Sequence, residues 1–533
     1  MNWIDYSIIG FYFLFFLFIG YFFKDNKDSK DYFLGGRKMG WFPLSLSTMA
    51  TQLSAISFVS APAFVGLKAG GGMKWLTFEF GVPLAMVFIM LVIIPPLYKS
   101  GVVSVYEYLE RRYSASTRLI ISTVFLITRS FGTGVMVYTV AMILQSVMDI
   151  SFVYTILLIG VITLIYSFQG GMKAVIWGDV IQMIILFGGI LICLGFGFYK
   201  IGGWGEFVQH IDSQRLLAVD FSSFGFNGDE FGFWPMLIGG FFLYVSYYGT
   251  DQTQSQRMLS AKDLGTVRKL LLVNGLFRFP VTFIYCTMGL VLGTLIITDP
   301  SFSEAIATVF ASHSDSIKSS TDLMVPVFIT KYLPNGVIGI LLVAIVSAAM
   351  SSLSSTINSL SAVSVEDFGV RFNWVSGKGT SYVRFSRFAS LFWGLVCILF
   401  AFVVGDISDT VIEAINKIGS VSYGPILAAF VMAILLKKTN ATGTNVGIIT
   451  GVVFNIYLWK FAPEVFWFWW NAIGFFLTVV VAYATSLIFK TKKIPSKAAL
   501  ATNPLVFSKE VLYLAGYTLF MILLAMSVPK IFS

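Results

Sequence analysis

The chain has 533 residues, of which 57% are hydrophobic and only 12% are charged; so few charges exclude an ordinary soluble protein and indicate a polytopic membrane protein. The net charge of +9 fits an orientation signal in the membrane and not a nucleic-acid partner, because no basic cluster lies beside an aromatic platform. Two histidines and three cysteines, without metal-ligand or CxxC spacing, leave little material for a metalloenzyme or a redox centre, so no enzyme is predicted.

The apolar runs predict about fourteen transmembrane helices, at roughly 20 residues per crossing. The first run, residues 4–23, is followed by Lys24, Lys27 and Lys30 and has no basic residue before it, which disfavours a signal peptide and predicts an external N-terminus. Lys and Arg concentrate on alternate loops, and an even number of crossings places the C-terminus outside as well. The predicted spans are 4–23, 42–66, 75–98, 119–148, 152–168, 174–199, 232–255, 269–297, 324–365, 386–405, 408–436, 443–461, 465–489 and 510–529.

Two predicted spans are polar where a crossing helix should be apolar. Residues 45–57 (SLSTMATQLSAIS) interrupt the second span, and residues 244–256 (YVSYYGTDQTQSQ) interrupt the seventh, five helices later. Unwound backbone is tolerated at membrane depth only where it lines a polar cavity, so paired interruptions are typical of a transporter built from inverted repeats. The alternative is a helix end and a loop wrongly placed within the membrane.

Residues 343–368 carry a dense run of hydroxyl side chains inside an apolar span. At about 100° per residue, Ala348, Ser351, Ser352 and Ser355 share one face of a helix. Hydroxyl and free carbonyl oxygens are ligands of small hard cations, so this face predicts a Na⁺ site. The alternative is that small residues let two membrane helices pack closely, with each serine bonding back to its own helix.

Carboxylates inside the predicted spans are costly unless they are paired or hydrated, so each marks a candidate site. Asp179 lies in an otherwise apolar helix, where it either serves an ion or caps a short helix end. Asp251 follows Gly249 in the interrupted seventh span, and a structural role at the unwound backbone is predicted for it. Glu413 and Lys417, four residues apart, predict an ion pair within one helix.

Arg129 and Arg278 also fall inside predicted spans. Either arginine can hold a solute carboxylate through its two-pronged guanidinium. Each can equally pair with a protein acid such as Asp251 or Glu79, and the sequence leaves both interpretations open. On the first interpretation, an organic anion is favoured over a neutral sugar as the solute.

The interrupted spans and three further motifs resemble the sodium/solute symporter family, which includes sodium/sugar, vitamin, iodide, proline and sialic acid carriers. The motifs are VYEYLERRY at 105–113, GGMKAVIWGDVIQ at 170–182 and AAMSSLSSTINS at 348–359. The resemblance spans roughly residues 5–490 and keeps the motifs in the order and helix positions of the family.

This resemblance implies an all-α membrane protein with the leucine-transporter fold, whose core consists of five plus five inverted helices. The core is expected at residues 42–437. An extra helix and a cytoplasmic loop at 1–41 precede it, and accessory helices at 438–533 follow it.

The resemblance also implies two sodium sites, one common to the family and one found in some members. The first takes three main-chain carbonyls and two hydroxyls, and its matching positions are Ala50, Leu53, Ala348, Ser351 and Ser352. The second takes serines of the same helix and an acid, and its matching positions are Ser351, Ser352, Ser354, Ser355 and Asp179.

The solute is expected beside these ions. Where sugar carriers typically have an amide, a lysine and a glutamine, this chain has Ser57, Arg278 and Asn416, a departure that puts sugar specificity in doubt. Tyr247 matches an aromatic residue that closes the inner side of the pocket. The residues expected to line it are Gln52, Ser54, Ser57, Glu79, Arg129, Tyr244, Tyr247, Arg278 and Asn416.

The function expected from these features is sodium-coupled import of a small organic solute by alternating access, with an organic anion favoured. The alternatives are a sodium-coupled sugar symporter of the same fold and a membrane solute sensor. The expected partners are Na⁺ as the coupling ion, the solute and the lipid bilayer, with no other cofactor, no nucleic acid and no obligate protein partner. The expected location is the plasma membrane, or the inner membrane in a bacterium.

Overall fold

The computed structural model describes residues 1–23, 29–148, 150–228, 230–313, 317, 319–376, 379–403, 410–489 and 508–531. These residues form helices joined by short segments, with an isolated bridge between Met39 and Ala261. The all-helical prediction is therefore confirmed for this part of the chain.

The helices of the N-terminal half include several short elements between the long apolar ones. They are α1 (Trp3–Phe22), α2 (Ser29–Leu34), α3 (Trp41–Gln52), α4 (Ala55–Gly66), α5 (Gly81–Phe88), α6 (Ile94–Ser100), α7 (Tyr106–Arg112), α8 (Ala115–Met148), α9 (Phe152–Ile201), α10 (Trp204–His210), α11 (Phe233–Gly249) and α12 (Gln252–Leu259). A 3₁₀ segment at Met73–Phe80 and a π segment at Ile89–Ile93 join α5 and α6 into one long run.

The helices of the C-terminal half are longer on average. They are α13 (Leu264–Thr298), α14 (Pro300–Ser312), α15 (Met324–Tyr332), α16 (Val337–Val363), α17 (Thr380–Ala401), α18 (Val411–Leu435), α19 (Ala441–Phe461), α20 (Trp467–Ile488) and α21 (Lys509–Ile531). A π segment at Ser364–Gly369 continues α16.

By length and apolarity, 11 helices of the described residues can cross a membrane, or 12 if α3 and α4 count as one broken span. The predicted count of fourteen is not reached for two reasons. Helix α9 runs for 50 residues where two spans were predicted, with a break in helical backbone at Gly171 (φ 55°) between them. Helix α11 has 17 residues, because the polar stretch that follows it ends the helix early.

Helix α16 forms the centre of the structure. Within its apolar 18-residue stretch, 89% is buried inside the protein, whereas the corresponding share in α17, α20 and α21 is 33%. Helices α1, α3, α8 and α9 pack around α16. The serine-rich helix therefore faces protein, and the outer helices expose apolar side chains as expected for contact with lipid.

The polar stretch at residues 45–57 forms a sharp bend between α3 and α4, whose axes differ by 53°. Leu53 has ψ 79°, which stops α3, and the hydroxyl of Ser54 accepts from the Ile56 N–H, which starts α4. The Ser54 N–H donates to the Gln52 carbonyl at 3.0 Å instead of continuing the helical pattern back to Ala50. The break predicted from sequence is thus formed where the polar residues lie.

The second polar stretch separates α11 from α12. Asp251 caps α12, since its Oδ1 accepts from the Thr253 N–H at 2.7 Å. The structural role predicted for Asp251 is therefore observed.

Helices α4 and α13 pack backbone against backbone. A Cβ placed on Gly289 would lie 2.5 Å from the Pro62 carbonyl oxygen, and one on Gly293 would lie 2.6 Å from that of Gly66. Glycines at i and i+4 let two membrane helices approach this closely. The interface between α4 and α13 therefore has no room for a side chain.

Asp5 joins the start of α1 to the start of α16. Its carboxylate accepts from the Asn2 N–H at 2.8 Å, and from the N–H groups of Gly336 and Gly339 at 2.7 and 2.9 Å. These bonds satisfy a buried acid with main-chain donors. The beginnings of α1 and α16 consequently lie together.

Candidate functional site

The end of α3 lies against the serine face of α16. Ser352 donates to the Thr51 carbonyl at 3.3 Å, and the hydroxyls of Thr51 and Ser355 are 3.3 Å apart. Ala50 and Leu53 are buried at this same end of α3. At the break between α3 and α4, main-chain carbonyls at the end of α3 lose their helical hydrogen-bond partners. This end of α3 lies beside the hydroxyls of α16.

The residues predicted for the first sodium ion come from these two segments. All five are buried, and two of them carry hydroxyl groups, a kind of oxygen ligand that a small hard cation takes. The five residues predicted for the first sodium ion are Ala50, Leu53, Ala348, Ser351 and Ser352.

Asp179 is fully buried in α9 and is not a helix cap. Its Oδ1 accepts from Ser351 at 2.6 Å, and its Oδ2 accepts from Ser47 at 2.5 Å. Oδ2 also forms an ion pair with Arg257 Nη2 at 2.7 Å. Helices α3, α9, α12 and α16 therefore meet at one carboxylate.

Arg257 was missed by the sequence analysis, which ended the seventh span at residue 255 and assigned this arginine to a loop. It is 1% exposed, and its Nε donates to Ser47 at 2.7 Å while its Nη1 donates to the Thr253 carbonyl at 2.5 Å. It also donates to Ser355. The available signal was the cap at Asp251, which restarts a helix and returns the next two turns to the protein interior.

Ser354, another predicted ligand of the second sodium ion, makes a different kind of contact. Ser354 donates to the carbonyl of Ser351 at 3.1 Å on its own helix, which is the behaviour expected of packing serines. In this structure Arg257 thus contacts two of the five predicted ligands of the second ion, Asp179 and Ser355.

A cavity of about 130 Å³ adjoins the break in α3–α4. It is lined by residues of α3, α4, α8, α11, α13, α16 and α18, and Ser352 of the sodium set reaches it. Its volume is below the roughly 300–1,000 Å³ of pockets for drug-sized ligands, so a small solute is favoured. The predicted substrate residues on its wall are Gln52, Ser54, Ser57, Arg129, Tyr244, Tyr247, Arg278 and Asn416.

Glu79 lies behind the cavity wall. Its Oε2 accepts from Arg278 Nε at 3.0 Å, and its side chain is fully buried. Among the described residues, Arg278 Nη1 has no hydrogen-bond partner. Glu79 therefore neutralises Arg278, while Nη1 of the same guanidinium is left without a hydrogen bond in the described part of the chain.

Arg129 is held more loosely than Arg278. Its nearest acid is Asp251, at 3.8 Å, and its Nη atoms are 3.4 and 3.5 Å from the hydroxyls of Tyr423 and Tyr247. Its guanidinium also lies over the Tyr247 ring, 5.2 Å from the centroid. Its Nε donates to the Thr253 hydroxyl at 3.2 Å, so among the described residues the hydrogen bonds of Arg129 go to neutral hydroxyls.

Tyr247 connects the cavity to the second break. Gln254 of α12 donates to the Tyr247 hydroxyl at 3.1 Å, and the neighbouring Tyr248 donates to Gln52 of α3. Tyr247, the residue predicted to close the pocket, is thus bonded to α12, and its neighbour Tyr248 is bonded to α3.

An ion pair joins the end of α4 to the start of α18. Lys68 lies 2.7 Å from Glu413, so Glu413 pairs with a residue from a distant segment. The pairing of Glu413 with Lys417 stays a prediction. Asp322 lies beside this pair and accepts from the Val411 N–H at 3.3 Å. Burial raises the pKa of Asp322 to about 6, and the nearby Glu413 adds to the shift.

The raised pKa of Asp322 predicts a stability change near pH 6. Ionised Asp322 destabilises the folded state, and that cost decreases progressively as the pH falls from 6 to about 4, because over this range the folded carboxyl is protonated while the unfolded carboxyl stays charged. We expect Asp322→Asn to raise the thermal unfolding temperature in detergent at pH 7.5, by an amount that becomes much smaller at about pH 4. A difference of the same size at both pH values would contradict this assignment.

Residues 32–451 match the model of the family described as the sodium:solute symporter family. The human sodium/iodide cotransporter is 27% identical over 81% of this chain and 65% of its own length. The mouse sodium-coupled monocarboxylate transporter 1 is 30% identical over 81% of this chain and 68% of its length. The chain thus spans about two thirds of these two mammalian relatives.

A solved structure of a Na⁺-coupled sialic acid symporter, in a substrate-bound outward-open state, has a similar fold. Its TM-score is 0.80 at 25% sequence identity, over 92% of this chain and 99% of that one. The interrupted helices around a buried polar cavity, together with these likenesses, define a membrane transporter of the symporter class.

The chain belongs to the sodium:solute symporter family. The coupling ion is therefore Na⁺, and the class is a carrier and not an enzyme, as the sequence predicted.

Proposed function

We propose that this protein imports a small organic anion together with Na⁺ by alternating access around the cavity. The observation that carries the proposal is the meeting of three features at one place. The broken end of α3 lies against the hydroxyls of α16, and Arg129 lies on the wall of the adjoining cavity. An ion bridging α3 and α16 and an anion beside it would stabilise the same conformation, which is the requirement for coupling.

The first Na⁺ is proposed at the carbonyls of Ala50, Leu53 and Ala348 and the hydroxyls of Ser351 and Ser352. These oxygens are neutral, so the bound ion keeps its positive charge and attracts an anion in the cavity. Ser352 belongs to the proposed ion ligands and also lines the cavity, so an ion bound there would lie next to the solute. A second Na⁺ is proposed near Asp179, Ser354 and Ser355.

An anion is favoured by the cavity and by the relatives. The wall carries two arginines, and Arg129 is the one that is not closely paired, since its acid lies at 3.8 Å whereas that of Arg278 lies at 3.0 Å. The relatives are named for iodide, monocarboxylates and sialic acid, all of them anions. The sugar alternative has no such feature in its favour.

The remaining architecture is proposed from the two broken helices. Breaks at α3–α4 and α11–α12 support a core of five plus five inverted repeats over residues 42–437, with segments 1–41 and 438–533 outside it. With α9 divided at Gly171 and α11 counted as a span, about fourteen crossings are proposed. We propose that both termini lie on the outer face of a plasma or bacterial inner membrane; the start of α16, which is bonded to the start of α1, would then lie on the same side as the N-terminus.

Solute counterflow in proteoliposomes tests the proposal. We expect a labelled organic acid, drawn from a panel of short monocarboxylates and sialic acid, to exchange across the membrane only when Na⁺ is present. Exchange of neutral sugars without exchange of acids would favour the sugar alternative. Saturable binding without any counterflow would favour a sensor.

A further inference from the structure

A side chain of the protein contacts ligands of the proposed second sodium ion. Arg257 Nη2 lies 2.7 Å from Asp179 Oδ2, its Nε lies 2.7 Å from Ser47, and it also donates to Ser355. A guanidinium carries the same unit positive charge as Na⁺ and uses the same kinds of oxygen. Arg257 therefore supplies the countercharge that a buried Asp179 requires.

The charges at this point leave little attraction for another cation while Arg257 is docked. One carboxylate faces one guanidinium, so the pair is neutral, and an added Na⁺ would give a net positive charge in a buried region. Like charges at such short distances repel strongly where water is excluded. Arg257 and a second Na⁺ thus have opposing requirements at Asp179.

We propose that Arg257 is a tethered competitor of the second sodium ion, and that guanidinium and Na⁺ exclude each other at Asp179. The inference rests on the proposed function, since it concerns one of its coupling ions. Sodium binding at Asp179 then requires Arg257 to leave, and the return of Arg257 expels the ion. The number of bound ions is set by the position of α12.

The position of α12 can change because α12 is separated from α11 by the break before Asp251. Thr253 also connects Arg257 to the cavity: its carbonyl accepts from Arg257 at 2.5 Å, and its hydroxyl accepts from Arg129 at 3.2 Å. An anion that draws Arg129 away from Thr253 acts on the same turn of α12 that holds Arg257. Solute binding and the exchange of Arg257 for Na⁺ are linked through this residue.

Equilibrium binding of radioactive Na⁺ to the purified protein tests the competition. In wild type we expect one ion bound tightly and a second bound at least tenfold more weakly. Arg257→Gln removes the competitor, so the second ion should bind at least tenfold more tightly, whereas Arg257→Lys should stay close to wild type. The double variant Asp179→Asn with Arg257→Gln should lose the second ion and keep the first.

The matched control is Arg112→Gln, which removes another buried arginine, one that donates to the main-chain carbonyls of Ala433 and Leu436. It should leave the number and affinity of bound ions unchanged. The proposal is overturned if Arg257→Gln binds Na⁺ as wild type does or more weakly. The proposed function fails separately, when wild type binds no Na⁺ at all.

A measurement on wild type covers the case in which Arg257→Gln does not fold. Release of Arg257 removes its bonds to Asp179, Ser47 and Ser355, which are part of the side-chain bonding that holds α12, so we expect Na⁺ to speed amide hydrogen exchange in residues 252–259. The effect should be absent in Asp179→Asn. Exchange in these residues that slows or does not change on adding Na⁺ contradicts the proposal.

Discussion

Replacing Ser351 and Ser352 together by alanine should raise the Na⁺ concentration for half-maximal uptake by roughly 100-fold or more. Two of the five proposed oxygen ligands are removed, and each contact to a charged group contributes about 1.5–3 kcal/mol, with a factor of ten for every 1.4 kcal/mol. Uptake of labelled solute by proteoliposomes over a range of external Na⁺ concentrations measures the shift.

Ser361→Ala is the matched control for this variant. Ser361 lies on the same helix and is fully buried, but its hydroxyl donates to the Ser386 carbonyl at 2.8 Å, away from α3. Its sodium dependence should be that of wild type. A folded Ser351→Ala, Ser352→Ala protein with unchanged sodium dependence would show that these serines only pack the helices.

Replacing Arg129 by glutamine should raise the KM for the anion by about 30-fold or more. Loss of a buried charged contact costs about 2–5 kcal/mol, and Arg129 is the cavity arginine with the longer ion pair, at 3.8 Å from Asp251. Arg129→Lys keeps the charge and loses the two-pronged geometry, so an intermediate KM is expected. Initial uptake rates against solute concentration, at saturating Na⁺, give these values.

Arg278→Lys serves as the comparison, because a lysine can still pair with Glu79. We expect a smaller change in KM than for Arg129→Gln. Stabilisation of the protein by Na⁺ should persist in all of these variants, since no charge is removed from the proposed first ion site. Wild-type anion kinetics in Arg129→Gln would exclude this arginine from solute recognition.

The sequence predicted the breaks in the second and seventh spans because polar residues interrupt long apolar runs, and such local patterns determine where a membrane helix can end. The meeting of α3 with α16 was expected from the family resemblance. The partners of charged residues could not be read in this way. Lys68 and Glu413 are 345 residues apart, and no periodicity connects them.

Arg257 shows the same limit at the site itself. Its burial depends on how α12 packs against α3, α9 and α16, and the local sequence QTQSQRM is as polar as a loop. The choice between solute and protein acid for Arg278 was likewise open until the position of Glu79 was known. Tertiary contacts between distant segments, and not local patterns, decide these assignments.

The close contact of α4 and α13 through Gly66, Gly289 and Gly293 offers a fixed reference for spectroscopy. Two helices whose backbones touch along a face without side chains cannot slide or tilt against each other without steric clash. Spin labels on the outward surfaces of α4 and α13 should therefore report one constant separation in every stage of the transport cycle. Distances from that pair to labels on α12 would then measure the movement of α12 alone.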